Sequence, residues 1–146
     1  ELQRFIVFLR PLGLRLRMML EKNISGMPIV DDERHVVGFI SDSDVLCRFA
    51  QDNAPVSDIS TLVTGMARGE FPELSHAELL DMNVMVIAAK PAVTVQSDAN
   101  IAQVCQMFGH QQYKKVPVVE QGKLVGVVNR GRLTRRSFEA CLGTAE

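Results

Sequence analysis

Apolar runs separated by short polar turns recur along the chain in one repeated order. Phe5 to Leu9 reads as a short strand. After Pro11, which suits a first helical turn, Leu12, Leu16, Met19 and Leu20 fall at helical spacing. They predict a helix to about Lys22 with those four side chains on its buried face. Met27 to Val30 and Val36 to Ile40 are unbroken apolar runs rich in branched residues, as expected of strands covered on both faces. Asp31-Asp32-Glu33-Arg34 is the turn between them, and Ser41 caps a second helix from about Ser43 to Gln51.

The second half repeats the scheme. A strand is predicted around Val93 to Gln96, a helix from about Asn100 to His110, and strands at Val116 to Val119 and Leu124 to Val128. The turn between those strands is Glu120-Gln121-Gly122, and a last helix runs to about Cys141. The likeness extends to single residues. Gly26-Met27-Pro28-Ile29-Val30 is answered by Lys115-Val116-Pro117-Val118-Val119, and Val36-Val37-Gly38-Phe39-Ile40-Ser41 by Leu124-Val125-Gly126-Val127-Val128-Asn129. Pro117 follows Pro28 by 89 residues; at that offset Phe5-Ile6-Val7 falls on Thr94-Val95-Gln96 and Leu16 to Met19 on Cys105 to Phe108.

Such a repeat means two copies of one supersecondary unit, each burying the other's apolar face. The expected fold class is α/β: two βαββα repeats, with small mixed sheets covered by helices. The first repeat is assigned to 1–52, with a truncated leading strand, and the second to 84–142. Residues 53–83 are read as a connector and 143–146 as a tail. In the connector, Asn53 to Asp58 reads as loop and Ser75 to Leu80 as a short serine-capped helix. Function is expected between the copies.

Bulk properties narrow the classes. The chain has 146 residues, 47% apolar and 23% charged, enough for one core or two small units that share one. A net charge of −1 supplies no global attraction for nucleic acid or an acidic membrane. The run Val84 to Ala89 is far too short to span a bilayer, so no membrane insertion is expected. Cys47, Cys105 and Cys141 share no metal-ligand spacing and leave one over from any disulfide, which favours a reducing, cytoplasmic setting. The start lacks the layout of a signal peptide and an initiator methionine, and it reads as a fragment cut from a longer, even membrane-bound, protein.

The repeated element has a family likeness. An apolar residue before Pro, two further apolar residues, a turn, a glycine-centred apolar strand, then Ser or Thr with Asp three residues on, resembles the CBS (cystathionine β-synthase) domain. Two tandem copies resemble the CBS pair, or Bateman module, over nearly the whole chain except the connector. The resemblance implies a pseudo-twofold pair of βαββα repeats with two clefts between them that bind adenosine-containing ligands (AMP, ADP, ATP or S-adenosylmethionine) and thereby regulate an attached or associated protein. It implies that the first cleft joins Ser41 and Asp44 to Tyr113, Lys114, Lys115, Val116 and Pro117, with Ala88 and Val93 from the segment leading into the second repeat.

The chemistry of these residues suits that role. A carboxylate such as Asp44 accepts hydrogen bonds from both ribose hydroxyls. Tyr113, the one tyrosine, offers a ring for adenine to stack on. Backbone near Lys115 and Val116 is placed to read a purine edge, while Lys114, Lys115 and the helix start at Ser43 are candidates for phosphate. The second cleft departs from the pattern. Asn129-Arg130-Gly131-Arg132 answers Ser41-Asp42-Ser43-Asp44, so Arg132 stands where an acceptor is needed, and Ile24 beside Ser25 lacks an aromatic face. Arg130 and Arg132 remain candidates for phosphate.

Plainer readings compete. Ser41-x-x-Asp44 is also a capping box that needs no ligand, and Tyr113 is equally a strand-edge residue. Arg130, Arg132, Arg135 and Arg136 also read as a solvated helix face. Met18, Met19, Met27 and Met107 are assigned to the core. His76, Glu78 and Asp81 do not converge as metal ligands, and no acid, base and nucleophile set is found, so neither a metal nor catalysis is expected. The expectation is a non-enzymatic adenine-nucleotide sensor acting by allostery, with no cofactor and a homodimer as its assembly. The alternative is a ligand-free structural pair serving dimerisation or protein contact.

Overall fold

The computed structural model describes residues 11–52, 59–68 and 77–143. In chain order the elements are α1 (Leu12–Glu21), β1 (Gly26–Val30), β2 (Val36–Ser41), α2 (Asp42–Asp52), α3 (Ile59–Ala67) and α4 (Ala77–Asp81). A 3-10 turn at Val84–Val86 follows, then β3 (Val95–Gln96), α5 (Ile101–His110), β4 (Lys115–Glu120), β5 (Lys123–Asn129) and α6 (Arg130–Leu142). The second repeat is therefore βαββα as expected. The strand anticipated at Phe5 to Leu9 and the loop at Asn53 to Asp58 lie outside the described residues.

The chain forms two compact units. Among the described residues, one gathers Pro28–Phe39 with residues 90–143, and the other gathers residues 11–27 with Ile40–Ala89. In the first unit, β3 runs parallel to β4, with Val95 opposite Val118, and β4 runs antiparallel to β5, with Lys115 opposite Asn129. A register shift between Val118 and Val119 leaves Val125 as the extra residue of β5. Behind this sheet, Val104 and Phe108 of α5 pack with Val116, flanked by Val95, Met107, Val128 and Leu133. Asn100 caps α5 by accepting from the Ala102 amide at 2.8 Å.

In the other unit, the start of α1 is tied to the end of α4: the Leu12 amide donates to the Met82 carbonyl at 2.7 Å. Gly13 allows this approach, since a Cβ there would lie 3.1 Å from Leu80. The buried stripe of α1 is Leu12, Arg15 and Met19, which corrects the expected Leu12, Leu16, Met19 and Leu20. Leu16 is half-buried and Leu20 is 82% exposed. At about 100° per residue, Leu20 falls well round the helix from Met19, whereas Arg15 lies one turn before it on the same face. The Arg15 guanidinium donates to the Met27 thioether at 3.7 Å. Met19 and Met27 are buried, while Met18 and Met107 are only half-buried.

β1 and β2 form a two-stranded sheet. Every residue of β1 is buried, but in β2 only Gly38 and Ile40 are, so the expectation of two covered faces holds for the first strand alone. The helix α3 was not anticipated. It lies in the stretch assigned to the connector, where Ile59, Leu62, Val63 and Met66 carry the helical spacing.

Candidate functional site

The apolar run of β2 stops at Ser41 because α2 begins there with a reciprocal cap. The Ser41 hydroxyl accepts from the Asp44 amide at 3.3 Å, and Asp44 Oδ2 accepts from the Ser41 amide at 2.8 Å. The Ser41 hydroxyl also donates to Asp44 Oδ2 at 2.6 Å. A further bond, from the Asp42 amide to the Ser25 carbonyl at 2.9 Å, sets the helix start against the segment entering β1. The capping reading is thus correct as local structure. It occupies one carboxylate oxygen, and Asp44 Oδ1 has no hydrogen-bond partner among the described residues. Both carboxylates in the first turn of α2, Asp42 and Asp44, complement the positive end of the helix dipole.

The second repeat copies this joint with different chemistry. The Arg130 amide donates to the Lys114 carbonyl at 2.9 Å, as Asp42 does to Ser25. Asn129 caps α6 by accepting from the Arg132 amide at 3.2 Å. Arg132 returns nothing, because a guanidinium has no lone pair to offer. Its first turn carries no acidic residue, and Arg130 and Arg132 are exposed without a side-chain partner among the described residues. Arg135 and Arg136 differ: both are held by Glu139, at 2.9 and 3.4 Å.

The other expected site residues fall as follows. Val116 and Pro117 are fully buried, so only their backbone is available to a ligand. β3 pairs with β4 only at Val118 and Val119, so among the described residues no strand pairs with the β3-side edge of Lys115 to Pro117. Tyr113 precedes β4 and is 36% exposed; Lys114 is exposed and Lys115 half-buried. Val93 is partly exposed just before β3, while Ala88 is buried, its amide donating to the Val84 carbonyl. Ser41, Asp44 and Ala88 belong to one compact unit, and Val93, Tyr113 to Pro117, Arg130 and Arg132 to the other.

Among the described residues no cluster of His, Cys, Asp or Glu is arranged to hold a metal ion. His76 and the side chain of Glu78 lie outside what is described. No described helix is long and apolar enough to cross a membrane. A shallow groove along α6, lined by Arg130, Gly131, Thr134, Arg135, Phe138 and Leu142, belongs to a single helix face.

Comparison with known proteins agrees with this architecture. The CBS domain family model matches residues 16–51 and 84–139. The chloroplastic CBS domain-containing protein CBSX1 of Arabidopsis thaliana is 27% identical over 140 residues, covering 85% of this chain and 54% of its own length. The chain therefore spans about half of that relative. Among solved structures, CBSX2 in complex with AMP superposes with a TM-score of 0.64 at 20% identity, covering 90% of this chain and 84% of that one. The CBS domain pair of MJ0100, in complex with 5-methylthioadenosine and S-adenosylmethionine, gives 0.59 at 18% identity, with coverages of 90% and 84%. At these identities the superpositions establish the fold, and one matched segment falls in each half of the internal repeat. The chain belongs to the CBS domain family, as a tandem CBS pair.

Proposed function

We infer that this CBS pair is a regulatory module that binds one adenosine-containing nucleotide and shifts the state of an attached or associated protein. The observation that carries the reading is Asp44 Oδ1, which has no hydrogen-bond partner among the described residues. The residue holds its helix cap with one oxygen and keeps the other for a ribose hydroxyl, a charge-assisted bond of the stronger kind. Ser41 and Ala88 complete the first set of contacts. Val93, Tyr113, Lys114 and Lys115 supply the second, with the backbone of Val116 and Pro117 beyond the pairs that β3 makes with β4. Tyr113 stacks on adenine, and the lysines, with Arg130 and Arg132, face phosphate. The ligand is AMP, ADP or ATP, with S-adenosylmethionine as the other candidate; related pairs solved with AMP and with S-adenosylmethionine support this class. The role is regulatory rather than catalytic, and three exposed free cysteines suit a reducing, cytoplasmic setting.

A second reading rests on Arg132 and on apolar side chains left open on the helices. Leu20 of α1 and Phe138 and Leu142 of α6 are exposed, the last two by 63% and 76%. A homodimer joined through α1 and α6 would cover them, and a pair serving only that contact would need no ligand. Isothermal titration with AMP, ADP, ATP and S-adenosylmethionine separates the two. Heat saturating at one ligand per chain supports the sensor. No heat and no thermal shift at millimolar ligand leaves the structural reading.

A further inference from the structure

The turn between β1 and β2 is built around one carboxylate. Asp31 Oδ1 accepts from the Glu33 amide at 3.0 Å and the His35 amide at 2.8 Å. Asp31 Oδ2 lies 3.2 Å from His35 Nδ1, and the Glu33 carboxylate approaches the same nitrogen at 3.6 Å. Backbone bonds from Asp31 to the His35 carbonyl and from Arg34 to the Asp31 carbonyl, both 3.0 Å, close the loop. The result holds Arg34 at φ 72°, a left-handed conformation that side chains with a Cβ rarely adopt.

That conformation has a partner. The Arg34 carbonyl accepts from the Leu124 amide at 2.9 Å, and the Arg34 guanidinium donates to the Leu124 carbonyl at 2.7 Å. His35 forms an antiparallel bridge with Lys123. These contacts join the turn to β5, the edge strand of the order β3-β4-β5. The facing turn is shaped to admit the imidazole: Gly122 stands at φ 80°, and a Cβ there would lie 3.3 Å from His35 Cδ2. One turn of the first repeat thus grips both polar backbone atoms of a single, nearly buried residue of the second. The sequence showed these residues only as a charged turn.

We propose that the Asp31–His35 turn is a proton-responsive clasp, tight when His35 carries a charge and looser when it does not. Imidazole is the side chain that changes charge between about pH 5 and 8. The charged groups of its own turn are Asp31, Asp32, Glu33 and Arg34, of which Asp31 and Glu33 reach the ring, and those of the facing turn are Lys123 and its ladder partner Glu120. Four are acidic and two basic, and the two nearest the ring nitrogen are carboxylates. An imidazolium is therefore drawn to Asp31 and Glu33, which keeps Arg34 folded back onto Leu124. The neutral ring retains one hydrogen bond to Asp31 and loses the charge attraction. Attachment is therefore stronger with the ring protonated than with it neutral. The chain then carries a proton input that is independent of any nucleotide.

Amide exchange at Leu124, expressed as protection relative to the intrinsic rate, reads the clasp directly. Between about pH 5.5 and 8 the protection should fall roughly two- to fivefold in the parent chain, the range a part-exposed ion pair supplies. His35→Gln, which keeps a polar side chain but takes no charge, should show a flat profile at the lower level. Asp31→Asn, which keeps the turn's acceptor oxygen, should show a shallower slope and serves if His35→Gln does not fold. A flat parent profile, or the same slope in parent and variants, overturns the proposal.

Discussion

Two helix starts at equivalent points of the repeat carry opposite chemistry. Ser41 and Asp44 exchange bonds at the head of α2, with two carboxylates in the first turn. Asn129 caps α6 alone, and the first turn holds Arg130 and Arg132 instead. The backbone joint is preserved, since the Asp42–Ser25 and Arg130–Lys114 bonds are both 2.9 Å. What has changed is only what the helix start can hold. The first end presents an acceptor and suits hydroxyls; the second presents donors against an already positive helix end and suits anions. Basic residues there oppose the helix dipole. The comparison teaches that a repeat conserves geometry more readily than binding chemistry.

The sharpest way to break the comparison is to swap the deciding side chains. Asp44→Ala should lower nucleotide affinity by about 1.5–3 kcal/mol, roughly 10- to 150-fold, because the ribose loses a charge-assisted acceptor. Arg132→Ala should leave adenosine binding unchanged and weaken only ligands with extended phosphates. Titration calorimetry on the two variants compares them directly. Equal affinity for Asp44→Ala and the parent would reduce the Ser41–Asp44 segment to a helix cap.

Cap removal comes next in size. Ser41→Ala and Asn129→Ala should each cost about 1 kcal/mol in denaturant unfolding. Ser41→Ala should cost the more, since it undoes a reciprocal pair rather than a single bond. Arg132→Asp should act the other way, stabilising the chain by about 0.3–1 kcal/mol by matching charge to the helix dipole. Loss of stability in that variant would mean that Arg132 holds something the structure of the chain alone does not explain.

The smallest expected effect concerns acid. Desolvation pushes the Asp31 carboxyl up, but bonds from the His35 amide and ring and the Glu33 amide outweigh it and hold its pKa below the ordinary value. A depressed carboxylate contributes stability that is present above its unfolded pKa and lost as pH falls through its folded one. Below about pH 3.9 the parent should therefore lose slightly more stability than Asp31→Asn, followed by thermal melts.

Much of this was legible beforehand, for definite reasons. The Pro28 and Pro117 strands and their following glycines announce themselves through a repeat, and a repeat supplies the second observation that a short apolar run lacks. The second turn is one residue shorter, since Gly126 follows Gly38 by 88 residues while the prolines are 89 apart. The register shift at Val118/Val119 lies in that same β4–β5 ladder. Periodicity failed where it had to arbitrate between neighbours on a helix: it could not show that α1 turns Arg15 inward, where it meets Met27, and Leu20 out. The Ser41–Asp44 cap was visible as a motif, but its spare Oδ1 was not, because a spacing does not say which oxygen is taken. The Arg34 clasp was invisible, since it depends on a positive φ and on a partner 90 residues away.

The central claim is that one of the two helix starts, and only one, is competent for a nucleotide. Calorimetric titration of the parent chain with ATP and with AMP measures it. The account predicts saturation at one nucleotide per chain for both ligands. Two per chain would contradict the contrast between Asp44 and Arg132, and no binding would contradict the proposed function.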